Sequence, residues 1–150
     1  MYELVYQSVA STEFLKQQLE ALVQEIRPFN AQNEITGLLV FDGKTFLQIL
    51  EGDKETIENL YQRICQDDRH TDVNSRWAQT CEKRTFSDWE MGCYALEGAS
   101  ISEDLVLETR IGNDLDDERS HGARLFRILS EQLYPASKPI LTSDLPNTTI

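Results

Sequence analysis

Ile35-Thr36-Gly37-Leu38-Leu39-Val40-Phe41-Asp42-Gly43-Lys44-Thr45-Phe46-Leu47-Gln48-Ile49-Leu50-Glu51-Gly52 contains two apolar runs joined by Asp-Gly. That dipeptide between two such runs is a strong hairpin signal. In the second run hydrophobic residues occupy both alternation faces, as in a strand buried on both sides. Phe46, Gln48 and Leu50 share one face, and Leu47 and Ile49 the other. Gln48 breaks the apolar pattern. An amide buried among apolar side chains costs roughly 1–3 kcal/mol unless it is hydrogen-bonded. Either a neighbouring backbone supplies that bond, or something polar sits against this strand.

On the N-terminal side, Leu4-Val5-Tyr6 opens a short strand with Tyr2, Leu4 and Tyr6 on one face. Ser11-Thr12-Glu13-Phe14 offers a helix cap with acidic character in the first turn. Leu15, Leu19, Leu22, Ile26 and Phe29 follow at helical spacing and predict an amphipathic helix over about 12–27. Pro28 opposes helix at the residue before it. On the other side of the hairpin, Gly52-Asp53 caps a second helix whose stripe is Ile57, Leu60, Tyr61 and Ile64, ending near Asp68. Val73 to Cys81 reads as a more polar strand and Trp89 to Tyr94 as a final one. The order βαββαββ predicts an α+β fold, a ferredoxin-like sandwich with a mixed five-stranded sheet and two helices on one face.

After about residue 97 the composition shifts. Residues 101–118 carry seven acidic side chains against one arginine, a solvated charged face or a partner surface. Leu125, Ile128, Leu129 and Leu133 then restore a helical stripe, and Pro135, Pro139 and Pro146 argue against regular structure at the end. The expected organisation is a core domain over 1–96, a C-terminal helical extension over 97–134 and a loose tail over 135–150.

A chain of 150 residues suits one domain with a real core. No apolar run approaches the roughly 20 residues of a membrane span. Met1-Tyr2-Glu3-Leu4-Val5-Tyr6 carries no basic n-region, so no signal peptide is expected. Cys65, Cys81 and Cys93 are odd in number and lack metal-like spacing, which suits reduced thiols in a cytoplasm. The balance of 26 acidic against 14 basic residues gives a net charge of -12, a surface that repels phosphate backbones and speaks against nucleic-acid binding.

Five segments carry a more specific signal. They are Leu4-Val5-Tyr6-Gln7-Ser8, the stretch from Asn30 through Ile35-Thr36-Gly37 to Leu39, Phe46 to Gly52, Tyr61 to His70, and Phe86-Ser87-Asp88-Trp89-Glu90-Met91. In order and spacing, over about residues 2–95, they closely resemble the BLUF family, blue-light sensors that hold a flavin without a covalent bond. The remainder resembles the extension of the short, stand-alone members.

The resemblance implies a role for each of several residues whose plain reading is different. A strand tyrosine is ordinarily an amphipathic core residue; the family pattern makes Tyr6 the donor of an electron and a proton to the photoexcited flavin. Gln48 is then the amide between Tyr6 and the flavin. It presents both a donor and an acceptor, so rotation or tautomerisation changes what it offers, and a new bond to a flavin carbonyl would shift absorption to the red. Asn30, otherwise a turn residue after the first helix, is implied to bind the polar edge of the flavin ring. Arg63 and Asp67 read as an exposed ion pair on the second helix, but the family places both near the flavin's pyrimidine side. Leu22 and Ile64 would clamp the ring faces, a role compatible with plain core packing. His70, where a cation would suit a helix C-terminus, is given a minor flavin contact. Trp89 and Met91 share a strand face, and in the family either can lie near the glutamine; alternation does not say which.

Two departures stand out. Phe29 replaces a second asparagine found in some relatives, and Glu34 stands where a glycine is common. If that site needs a positive φ, glutamate costs about 1 kcal/mol. The resemblance thus implies a sensor rather than an enzyme, with FAD or FMN as cofactor, a downstream signalling protein as partner and homo-oligomeric assembly. The competing readings are a small hydrolase on the same sandwich and an interaction module without flavin. The first would need an anion-binding loop, typically glycine-rich. Cys65 and His70 could serve it as nucleophile and base, but they lie one helix turn apart with no orienting partner evident.

Overall fold

The computed structural model describes residues 1–12, 16–86, 91–97, 100–101 and 121–133. The described residues form six strands: β1 (Tyr2–Ala10), β2 (Thr36–Phe41), β3 (Thr45–Gly52), β4 (His70–Thr80), β5 (Gly92–Glu97) and β6 (Ser100–Ile101). Among the described residues three helices accompany them: α1 (Lys16–Gln32), α2 (Lys54–Gln66) and α3 (His121–Leu133). The sheet runs β4-β1-β3-β2-β5-β6. It is mixed, because β2 and β5 are parallel while the other pairs are antiparallel. The α+β sandwich predicted from the pattern is therefore present, with one strand more than the five expected. The addition is β6, which folds back on β5 through Leu96↔Ile101 and Glu97↔Ser100; so short a strand leaves no alternation to read.

The hairpin forms where Asp-Gly places it. Asp42 Oδ1 accepts from Lys44 N at 2.9 Å and Thr45 N at 2.7 Å, and Gly43 takes φ 95°. β3 lies between β1 and β2 and is covered by α2 on one face and α3 on the other, which explains its apolar residues on both faces. Gly37 is dictated by this packing: a Cβ there would fall 1.9 Å from Ile49 O. On one face Tyr2, Leu4, Tyr6, Leu39, Phe46 and Leu50 pack against Leu19 and Val23 of α1 and Ile57 of α2. Glu3 and Val5 point to the other face by the period-two rule. There α3 covers β1 and β3 with Phe126 and Leu129 buried, and Gly122 N donates to Glu3 Oε1 at 2.8 Å.

Three boundaries differ from the sequence reading. α1 continues through Pro28 to Gln32 instead of stopping at about 27. Proline inside a helix costs about 3 kcal/mol, but the added turn buries Asn30 completely and half-buries Phe29. It is closed by Asn33 Nδ2 donating to Phe29 O and Ile35 N donating to Asn30 O, both at 2.8 Å. Asn30 consequently belongs to the helix and not to the loop after it. β4 starts at His70, three residues before Val73, and β5 covers Gly92–Glu97 rather than Trp89 to Tyr94. On α3, Ile128 is 45% exposed although its spacing places it in the apolar stripe. Leu15 and Trp89 lie outside the described residues.

Candidate functional site

A cavity of about 320 Å³ opens between α1, α2 and the sheet face that they cover. All eight residues singled out for a cofactor line it: Tyr6, Leu22, Asn30, Gln48, Arg63, Ile64, Asp67 and His70. Its size is at the lower end of small-molecule sites, roughly 300–1,000 Å³. Further lining residues not singled out beforehand include Glu25, Ile26, Phe46, Leu60 and Arg69. Ile26, Phe46 and Leu60 look like ordinary core positions in sequence, and only the sheet and helices together turn them toward a common space.

The polar centre of the cavity is a product of strand register. Tyr6 and Gln48 are direct cross-strand partners on β1 and β3. Tyr6 Oη donates to Gln48 Oε1, and Gln48 Nε2 donates to Met91 Sδ at 3.1 Å. Tyr6, Gln48 and Met91 are 2%, 3% and 1% exposed, so no bulk water competes for these bonds. Burial pushes the Tyr6 phenol well above its usual pKa, and the nearby Tyr61, Asp67 and Cys65 add to the effect. Tyr6 is therefore held as a neutral phenol with a proton to give. The Tyr61 ring lies 5.8 Å away, and its own phenol is pushed up to about 12, by burial first.

At the mouth the charges pair differently from the helical i,i+4 expectation. Asp67 pairs with Arg69, not with Arg63: Arg69 Nε is 3.0 Å from both carboxylate oxygens and Nη2 is 2.6 Å from Oδ2. The reason is geometric. Asp67 is the C-cap of α2 with extended backbone (φ -78°, ψ 124°), so its side chain has left the helical row that Arg63 occupies. The Arg69 hydrogen bond holds the Asp67 carboxyl below its ordinary range. Arg69 also reaches Glu25 of α1 at 3.8 Å. Arg63 lies instead over the Phe29 ring, 5.1 Å from its centroid, a cation–π contact. The Phe29 departure thus gives Arg63 a seat.

His70 is not a helix-terminal cation. It opens β4, its Nδ1 is 2.8 Å from Ser8 Oγ, and its ring is 4.7 Å from that of Phe46. Burial depresses its pKa, with Asp67 opposing. Glu34 does take a positive φ, 54°, and its carbonyl accepts from Arg84 Nη2 at 2.6 Å. Cys65 and His70 do not form a nucleophile–base pair, since the cysteine is hydrogen-bonded to Tyr61 and the histidine to Ser8.

The cavity has apolar walls from Leu22, Ile26, Leu60 and Ile64, and polar groups from Asn30, Gln48, Arg63 and Asp67. This suits a flat ring system with apolar faces and one polar edge, which is the chemistry of a flavin. Residues 1–92 match the family described as sensors of blue-light using FAD. The chain belongs to the BLUF family. Over 89 residues, 59% of the chain but 10% of the relative, it is 38% identical to photoactivated adenylate cyclase subunit beta of Euglena gracilis. Over 93 residues, 62% of the chain and 23% of the relative, it is 36% identical to the blue light- and temperature-regulated antirepressor BluF of Escherichia coli K12. The matched BLUF segment thus spans a tenth to about a quarter of these relatives. Among solved structures, Klebsiella pneumoniae BlrP1 with FMN and cyclic diGMP superposes with a TM-score of 0.64 at 28% identity, covering 87% of the chain and 33% of BlrP1. BlsA in its photo-activated state gives 0.61 at 27% identity, covering 85% and 83%.

The BLUF domain is a flavin-binding blue-light sensor, and its cofactor is FAD or FMN. None of the described helices is long and apolar enough to cross a membrane.

Proposed function

We propose that this BLUF chain converts blue light into a rearrangement of the Tyr6–Gln48–Met91 line and passes it on through β5 and the C-terminal extension. The observation that carries this reading is the buried, continuous hydrogen-bond line from Tyr6 Oη through both ends of the Gln48 amide to Met91 Sδ, facing the cavity. A flavin bound there supplies the visible absorption and an electron-accepting excited state. Tyr6 is the group of the chain placed to lose an electron, and its proton has one direct route, along the existing bond to Gln48 Oε1. An amide that takes up a proton at oxygen and releases one from nitrogen toward the cavity, or that turns over, exchanges its donor and acceptor ends. Met91 Sδ then loses the N–H it accepts. That disturbs the residue immediately before β5, from which the change can travel.

In this reading residues 1–96 are the flavin domain, 97–134 the output extension and 135–150 a tail. Leu22 and Ile64 pack the flavin faces, while Asn30, Arg63, Asp67 and His70 line its polar surroundings; Trp89 and Met91 are the output residues. The chain turns over no substrate of its own. It acts in the cytoplasm, as a homo-oligomer, on a downstream signalling protein, without binding nucleic acid or membrane.

The test is the visible spectrum of the purified chain, in the dark and just after blue light. A flavin spectrum that moves slightly to the red and relaxes in the dark is expected. Tyr6→Phe and Gln48→Leu should each keep the flavin and lose the shift. A shift that survives both substitutions would refute the assigned line.

A further inference from the structure

Arg27 of α1 is only 7% exposed, an unusual place for a guanidinium. Two of its donors converge on one acceptor: Nε at 3.2 Å and Nη2 at 3.0 Å from Met91 O. The side chain of that same residue accepts from Gln48 Nε2. Met91 is therefore gripped at both ends, by a buried cation at its carbonyl and by the Gln48 amide at its sulfur. The next residue, Gly92, begins β5 and pairs with Leu38 of β2. α1 also supplies Leu22, Ile26 and Asn30 to the cavity.

We propose that Arg27 is a positioning residue for the Gln48 switch, holding the Met91 backbone so that its thioether stays seated on Gln48 in the dark. This rests on the photoreceptor reading. The physical basis is an asymmetry of strength. A thioether is a weak acceptor and releases an N–H readily. Charge-assisted bonds from a guanidinium are roughly twice as strong as neutral ones, and two of them end on the Met91 carbonyl. The Gln48–Met91 contact alone would hold the segment loosely. With Arg27 on the carbonyl, moving the backbone before β5 away from the cavity requires that both of these bonds be given up. Arg27 thereby sets how firmly the dark arrangement is kept and ties the cavity wall to the strand that leaves it.

The chain has two methionines, and Met1 is 46% exposed, so methyl-13C-methionine labelling reads Met91 as one distinct line. The full chain is compared with Arg27→Leu and Arg27→Lys, each in the dark and under blue light. In Arg27→Leu the dark Met91 line should move toward its illuminated position, and Arg27→Lys, which keeps a cation, should restore most of the wild-type dark position. In 15N-arginine-labelled wild type, the Nε–H that disappears in Arg27→Lys should exchange slowly in the dark and lose that protection in the light. A dark Met91 line in Arg27→Leu that coincides with wild type would overturn the proposal. So would a Met91 line that moves in the light while the Arg27 Nε–H stays protected. If Arg27→Leu does not fold, the wild-type exchange measurement decides alone. If wild type shows no spectral response to light, the photoreceptor reading fails, while the dark-line comparison still decides whether Arg27 positions Met91.

Discussion

Replacing Gly122 by alanine should destabilise the protein, and the same replacement should stabilise it once Glu3 has been cut back to alanine. Glu3 is 1% exposed and its Oε1 accepts from Gly122 N at 2.8 Å and from Trp77 Nε1 at 3.0 Å. A Cβ on Gly122 would lie 2.5 Å from Glu3 Cδ and 2.6 and 2.8 Å from its two oxygens. All three distances are inside contact, so the carboxylate would have to leave its donors. A net hydrogen bond to a charged group is worth about 1.5–3 kcal/mol. Alanine in place of glycine in a helix returns about 1 kcal/mol. Gly122→Ala should therefore cost about 0.5–2 kcal/mol in the parent chain. With Glu3→Ala the obstructing group is gone, and only the helix gain of about 1 kcal/mol remains. The coupling between the two sites is then about 1.5–3 kcal/mol, within the range for residues in direct contact. Urea denaturation of the four proteins, followed by circular dichroism with a common slope, measures it. If Gly122→Ala has the same cost in both backgrounds, the glycine is not there to admit the Glu3 carboxylate.

Two other perturbations follow from the site. The folded His70 pKa lies below 6.5 because of burial, so as pH falls below about 6.5 the unfolded chain takes up a proton before the folded one does. Stability should be full above that pH and decline between 6.5 and the lower folded value; the denaturation midpoint at pH 5.5 relative to 7.5 should drop more in wild type than in His70→Gln, and equal drops would contradict the argument. Asp67 is held below its ordinary 3.8, so its own contribution is lost only at more acid pH, outside this window. Glu34→Gly should stabilise the chain by about 0.5–1 kcal/mol, since glycine relieves the left-handed cost at φ 54° but loses some of the gain to chain entropy; an unchanged or lower thermal midpoint would show that the loop is not strained.

The sequence by itself determined the layers of this fold and the identity of its central pair. Alternation placed Tyr6 with Leu4 and Gln48 with Phe46 and Leu50, and Asp42-Gly43 fixed the hairpin, because these signals are local and repeat with the pitch of the backbone. The resemblance to a known family then named the cavity residues before any cavity was visible. Tertiary structure decided the partners. Helical spacing offered Arg63 to Asp67, yet the chain turns at the C-cap and gives Asp67 to Arg69 and Arg63 to Phe29. Pro28 announced a helix end that burial of Asn30 overrode. Nothing in the order of residues joined Arg27 to Met91, or Glu3 to Gly122 across 119 positions. Such bonds form between groups that meet only after two elements have packed, and their energies depend on how far that packing excludes water.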